Sequence, residues 1–304
     1  MLDICLIGTG GTMPLVNRWL TSLMVRYKGH CLLIDCGEGT QIAAQRAGVS
    51  LKPVETLLLT HLHADHVSGL PGMLLTMGNM GKTDPLHIIG PRGTEDVVKA
   101  LTIIAPGLSF PLEVTELTGE TQELAFHDCL IRAFRVQHRV SCYGYSIELK
   151  RSGKFDPQRA KEQGIPLCHW QALQKGESIE HEGTTFTPES VLGPARKGLK
   201  LCYCTDSRPT DRIIEAAANS DLFICEGMYG DDSFQQKAID KSHMLFSEAA
   251  TMAATAGDVG ELWLTHYSPS LPNPKDFQEV ARAIFPKTYT PRDGWKKSLQ
   301  FDER

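Results

Sequence analysis

The run TLLLTHLHADH at 56–66 constrains this chain most. An apolar strand leads straight into three histidines and an aspartate. Alternate side chains at a strand end share a face, so His61 and His63 can grip one ion. The turn into the helical stretch VSGLPGML swings Asp65 and His66 towards a second position. Imidazole and carboxylate donors suit zinc or a similar divalent ion such as manganese. A two-metal site needs more donors, and the chain supplies them in matching contexts. RVQH ends a strand at His138, LCYCTD ends one at Asp206, and LWLTH ends one at His266. His61, His63 and His138 would hold one ion, and Asp65, His66 and His266 the other. Asp206, a carboxylate able to bridge, would sit between them.

The rest of the chain repeats the same rhythm of a short apolar run followed by a helical stretch. LDICLIG, SLMVRY, CLLIDCG, TLLLTH, LHIIG, IRAFRVQH, YSIEL, LCYCTD, LFICEG and LWLTH read as strands. Helices are predicted at 39–47, 67–78, 93–105, 210–218, 246–256 and 275–285. Alternation in both halves gives an α/β layered domain with largely buried sheets. No apolar run approaches the roughly 18 residues that a membrane span needs. The N-terminus, with Asp3 and no basic segment, does not read as a signal peptide. Nine scattered cysteines, several inside strand-like runs, suit reduced buried thiols in a cytoplasmic protein. The spacing of Cys202 and Cys204 is not that of a zinc knuckle. His87, His127, His169 and His181 have no ligand context and read as structural or surface residues.

Residues 151–200 break the pattern. They are polar, carry several Gly and Pro, and read as an insertion without a core of its own. Within 151–175, five basic residues (Arg151, Lys154, Arg159, Lys161, Lys175) stand against two acids, whereas the whole chain has a net charge of −5. Trp170 could stack on RNA or anchor the insertion's own fold. The strand-end Asp35 could hydrogen-bond a ligand histidine from behind, and the glycines of DCGEGT permit a tight turn into a helix.

This donor set resembles that of the metallo-β-lactamase superfamily, which implies an αββα sandwich with a dinuclear site at its strand ends. Further motifs are similar to the ribonuclease Z branch, the endonucleases that remove 3′ trailers from precursor tRNA. They are GTGGTMPLVNRWLTS, IDCGEGTQ at 34–41, HLHADHVSGLPGML, HRVSCYGY, LGPARKGLKLCYCTDSRP and LTHYSPS. The segment GKFDPQRAKEQGIP…LQKGE resembles the flexible arm with which that family grasps tRNA. The likeness runs from near residue 1 to about residue 290.

The resemblance implies a single metallo-β-lactamase-fold domain over 1–304, with an inserted substrate-binding arm at 151–195. It implies an endoribonuclease in which two divalent ions, zinc or else manganese, share a bridging hydroxide that attacks the phosphorus. Asp65 would be both ligand and catalytic aspartate. His243 would donate a proton or stabilise charge at the leaving oxygen, with Glu226 orienting it. Arg18 would contact RNA near the cleavage point, and Lys154, Arg159, Lys161 and Lys175 would hold it on the arm. The expected partners are precursor tRNA and a second copy of the chain, with no membrane. The chain departs from the family in four places. The arm lacks a Gly-Pro step after Ile-Pro, TMGNMG stands at 76–81 in place of Ser-Arg-Ser, CEGM at 225–228 keeps only Glu226 of His-Glu-Ala-Thr, and His243-Met244-Leu245 replaces His-Ser-Thr. These leave open a phosphodiesterase of the same fold acting on another RNA or a small diester.

Overall fold

The computed structural model describes residues 1–302. In chain order the first strands are β1 (Leu2–Gly8), β2 (Ser22–Tyr27), β3 (His30–Ile34), β4 (Val54–Leu58), β5 (Leu86–Pro91) and β6 (Leu112–Leu117). Then come β7 (Thr121–Phe126), β8 (Cys129–Arg135), β9 (Tyr143–Arg151), and the hairpin β10 (Ile179–His181) and β11 (Thr184–Phe186). The last are β12 (Arg196–Cys204), β13 (Leu222–Glu226), β14 (Leu262–Thr265), β15 (Thr288–Tyr289) and β16 (Trp295–Leu299). The helices are α1 (Thr40–Arg46), α2 (Ala64–Val67), α3 (Leu70–Asn79), α4 (Thr94–Thr102) and α5 (Pro157–Glu162). They continue with α6 (Leu167–Gln174), α7 (Asp211–Ala217), α8 (Gln235–Lys241), α9 (Phe246–Thr255) and α10 (Gln278–Arg282).

Two seven-stranded sheets form, in the orders β16-β1-β2-β3-β4-β5-β6 and β15-β14-β13-β12-β9-β8-β7. Strand periodicity explains their layering. In β1 to β3, Cys5, Ile7, Met24, Cys31 and Leu33 pack in one cluster with Ala43, Ala44, Leu70, Met73 and Val98 of the helices α1, α3 and α4. The alternating residues Ile4, Leu6, Leu23, Val25, Leu32 and Ile34 are also buried, so they point the other way, towards the second sheet. Cys202, Cys204, Phe223, Cys225, Leu262 and Leu264 pack likewise with Ile213, Ala249, Ala253 and Ala281 of α7, α9 and α10. The Tyr145 hydroxyl donates to the Leu59 carbonyl at 2.7 Å and the Tyr143 N–H to that of Thr60 at 2.9 Å, which fastens β9 to the end of β4. The expected αββα sandwich is therefore the observed architecture. All nine cysteines are free, and only Cys168 is exposed. No helix among the described residues is long and apolar enough to cross a membrane.

Several local expectations needed correction. The helix expected at 67–78 is two, α2 and α3, because Gly69 passes so close to Gly37 that a Cβ there would lie 2.1 Å from the Gly37 carbonyl oxygen. The helix expected at 275–285 is a short 3₁₀ turn at Pro274–Phe277 followed by α10. In the two seven-stranded sheets β6, β7, β15 and β16 were not anticipated, nor was the hairpin β10–β11, and the first four are sheet edges. Edge strands carry charged and half-exposed residues, as in WKKSL and TQELAF, so they lack the apolar runs that betray central strands.

The chain divides into two compact units, one of 1–147 with 200–300, the other of 148–199 with 301–302. The second unit has a small core of its own, contrary to the reading of the insertion. Ala160, Ile165, Leu173 and Val191 are buried there, with Phe155, Trp170, Ile179 and Phe186 packed against them. Those apolar residues are too sparse among polar neighbours to stand out as a pattern. Trp170 serves this fold: its indole N–H donates to the Ile165 carbonyl at 2.9 Å.

Candidate metal centre

His61 and His63 lie just beyond the C-terminal end of β4, Asp65 and His66 on the short helix α2 that follows, and His138, Asp206 and His266 just beyond the ends of β8, β12 and β14, and these ends meet. His61 Nε2 is 3.0 Å from His63 Nδ1, which is 3.3 Å from His138 Nε2. His66 Nε2 is 3.3 Å from His266 Nε2, and Asp65 Oδ2 is 3.6 and 3.4 Å from those two atoms. Asp206 faces both groups. Its Oδ1 lies 3.2 Å from His66 Nε2 and 3.1 Å from His266 Nε2, while its Oδ2 lies 3.7 Å from His61 Nε2 and 3.9 Å from His138 Nε2. His61, His66, Asp206 and His266 are buried.

The donors fit divalent cations. His66 Nδ1 is engaged by Asp35 at 2.9 Å and His138 Nδ1 by the Ser242 carbonyl at 3.1 Å. In their neutral forms both rings therefore turn a bare Nε2 lone pair towards other nitrogen acceptors. A cation between them relieves that repulsion, and carboxylates in each group supply charge. The protonation preferences share this origin. Burial, joined by the nearby His66, holds His61 well below its usual value. For His66, burial is outweighed by Asp206 and Asp35, which raise it. Against the upward push of burial, His266 and His66 hold the Asp65 and Asp206 carboxyls well below the usual carboxylate range.

Backbone conformation sets the donors in place. Asp35, Asp206 and His266 adopt φ of 60°, 50° and 57°, a left-handed region that non-glycine residues occupy at a cost. Gly11 is required beside His266, because a Cβ there would lie 2.6 Å from the ring. Asp35 receives the Thr60 N–H at 2.8 Å as well as His66, and the Thr12 N–H donates to Asp65 Oδ2 at 2.7 Å. We expect Asp35→Asn to weaken divalent-metal affinity by about 10- to 100-fold, because the amide cannot accept from both Thr60 and the His66 Nδ1–H. A chelator-competition titration measures this, and an unchanged affinity would refute the positioning role.

His243 Nδ1 lies 3.0 Å from Glu226 Oε2, and Nε2 is the nitrogen left for a ligand. Burial lowers the His243 pKa, but Glu226 and then Asp206 more than offset this and raise it to about 9. Sequence reasoning overlooked what holds this pair. The Ser207 N–H donates to Glu226 Oε1, and the Arg208 guanidinium donates to the His243 carbonyl and forks onto Glu248. Both residues directly follow Asp206, and their partners are 19 to 40 residues away in the chain, beyond the reach of any local pattern.

Arg18 is held by the segment that follows His266. Its guanidinium donates to the carbonyls of Ser268 and Pro272, and it lines a neighbouring cleft with Asn273, Lys275 and Arg292. Lys154, Arg159, Lys161 and Lys175 are exposed on the second unit. His127, read as a structural or surface residue, pairs with Glu55 at 2.8 Å and stacks on His30.

Comparison with known proteins agrees with this geometry. A family model described as anti-Pycsar protein Apyc1 matches residues 2–102. A ribonuclease Z of Agathobacter rectalis is 55% identical over 303 residues and covers 100% of both chains. One of Lachnoclostridium phytofermentans is 53% identical, covering 100% of this chain and 99% of its own. The crystal structure of the human tRNase Z short form shares the fold at 23% identity, with a TM-score of 0.71 over 98% of this chain and all of that one. The metallo-β-lactamase fold protein YhfI of Bacillus subtilis superposes with a TM-score of 0.70 at 20% identity, over 97% of this chain and 98% of its own. With full-length relatives at this level of identity, the chain belongs to the ribonuclease Z family and carries the metallo-β-lactamase fold.

Proposed function

We propose that the chain is a metal-dependent endoribonuclease that hydrolyses the phosphodiester joining a 3′ trailer to precursor tRNA. The observation that carries this reading is full-length likeness to proteins named ribonuclease Z, in a chain whose seven donor residues converge. In this reading His61, His63 and His138 hold one divalent ion, and Asp65, His66 and His266 the other. Asp206 lies between them, and zinc is the preferred ion. Two such ions supply an activated water and positive charge at the phosphoryl oxygens.

The chain's own groups do the rest. Asp65, held by the Thr12 N–H, accepts a proton from the attacking water. His243, carrying its proton on Nε2, gives it to the leaving oxygen, while Glu226 fixes the ring by its other nitrogen. Asp35 and the Ser242 carbonyl lock His66 and His138 with Nε2 turned inward. Lys154, Arg159, Lys161 and Lys175 on the arm bind the tRNA body, and Arg18 contacts RNA near the scissile bond. The working form is a cytoplasmic homodimer in which the arm of one chain serves the site of the other.

Incubation with zinc or manganese and a precursor tRNA bearing a 3′ trailer tests the reading. The expected product is a tRNA shortened to its mature end. Turnover of small phosphodiesters without trailer removal would favour the small-diester reading instead.

A further inference from the structure

The donor cluster opens into a cavity of about 510 Å³. Its charged lining is uneven. The only acids on the wall, Asp65 and Asp206, belong to the donor set, and the remaining full charges are all cationic: Arg139, Lys237 and Lys241. In a chain of net charge −5 this is a local reversal of sign. Lys237 and Lys241 stand four residues apart on α8, hence on one face of it, where like charges repel.

Two of the three side chains, those of Arg139 and Lys237, are held in this arrangement. The Arg139 Nε and Nη2 donate to the Lys241 carbonyl at 3.3 Å, which ties the segment after His138 to the end of α8. The Lys237 ammonium lies 5.1 Å from the Tyr229 ring centroid and 5.5 Å from that of Phe234, two rings stacked at 5.6 Å. All three cations are exposed. Like charges gathered beside a candidate metal site suit a ligand with repeated negative charge, and a phosphodiester backbone is such a ligand.

We propose that Arg139, Lys237 and Lys241 form a binding site for the backbone phosphates of the RNA strand next to the bond being cut. The proposal rests on the endoribonuclease reading, and it assigns part of the binding to the cavity wall as well as to the arm. Phosphates held there would draw the single-stranded trailer across the donor cluster, and their contacts would release counterions on binding.

The test measures the affinity and KM of Lys237→Gln, Lys241→Gln and Arg139→Gln for a precursor tRNA over a range of salt concentrations. Each variant should flatten the slope of log affinity against log salt by roughly 0.7 to 1 and raise KM several-fold, with kcat moving less. Lys237→Arg and Lys241→Arg should restore the slope. Lys99→Ala, which removes a charge paired with Glu95 on α4, serves as the control and should leave the slope unchanged. Metal content at the wild-type level certifies the folded centre in each variant. Slopes equal to that of Lys99→Ala in a protein that cleaves RNA would overturn the cavity-wall site alone. A wild-type protein that neither binds nor cleaves RNA would overturn both this proposal and the reading beneath it.

Discussion

In the proposed two-ion reading, Asp206→Ala is expected to lower divalent-metal content from two ions per chain to below one and turnover by at least about a thousandfold, on the order of 4 kcal/mol of transition-state stabilisation. The expectation follows from its place. Asp206 is 2% exposed, and its two oxygens face the two donor groups separately, so one deletion removes a ligand from each. Four buried or nearly buried imidazoles also lose the anion nearest to their Nε2 atoms. Asp206→Asn keeps the shape and removes the charge, so it should retain more metal than alanine and less than wild type. Elemental analysis of the purified variants decides the matter. Two ions retained, with turnover within tenfold of wild type, would contradict the bridging position.

His243→Ala should behave differently: both ions retained, but turnover down by about 10²- to 10⁴-fold, the usual worth of a positioned proton donor. The His243 imidazole is tied to Glu226 by Nδ1, and Glu226 and Asp206 raise its affinity for protons. If it supplies the proton for the leaving oxygen, the deficit should shrink on a diester whose leaving group departs without one, such as p-nitrophenolate. An equal loss on both substrates would point to a positional role, and an unchanged turnover on RNA would remove His243 from the mechanism. Glu226→Gln should cost less, about tenfold, because it weakens the orientation of the ring but leaves the ring in place.

The convergence of these seven side chains was legible because each residue ends an apolar strand run or lies in the segment directly after it. A sheet brings such ends together whatever the intervening loops contain. Asp35 was legible for the same reason. The left-handed backbone at Asp35, Asp206 and His266 was not, because no glycine marks it. The edge strands β6, β7, β15 and β16 escaped notice because their solvent-facing residues dilute the apolar signal. The core of the second unit escaped because four buried aliphatic residues are spread from Ala160 to Val191. The cationic part of the cavity wall was not legible. Arg139 and Lys241 are about a hundred residues apart in the chain, and only the fold makes them neighbours.

The central claim, hydrolysis by water at a metal-dependent site, is tested most directly by mapping product ends on a precursor tRNA whose nucleotide 5′ of the cut carries a 2′-deoxy sugar. The account predicts metal-dependent cleavage at the trailer junction, leaving a free hydroxyl on one fragment and a monophosphate on the other. Loss of cleavage on 2′-deoxy substitution, or a 2′,3′-cyclic phosphate on the unmodified substrate, would contradict it, because the attacking oxygen would then come from the RNA itself.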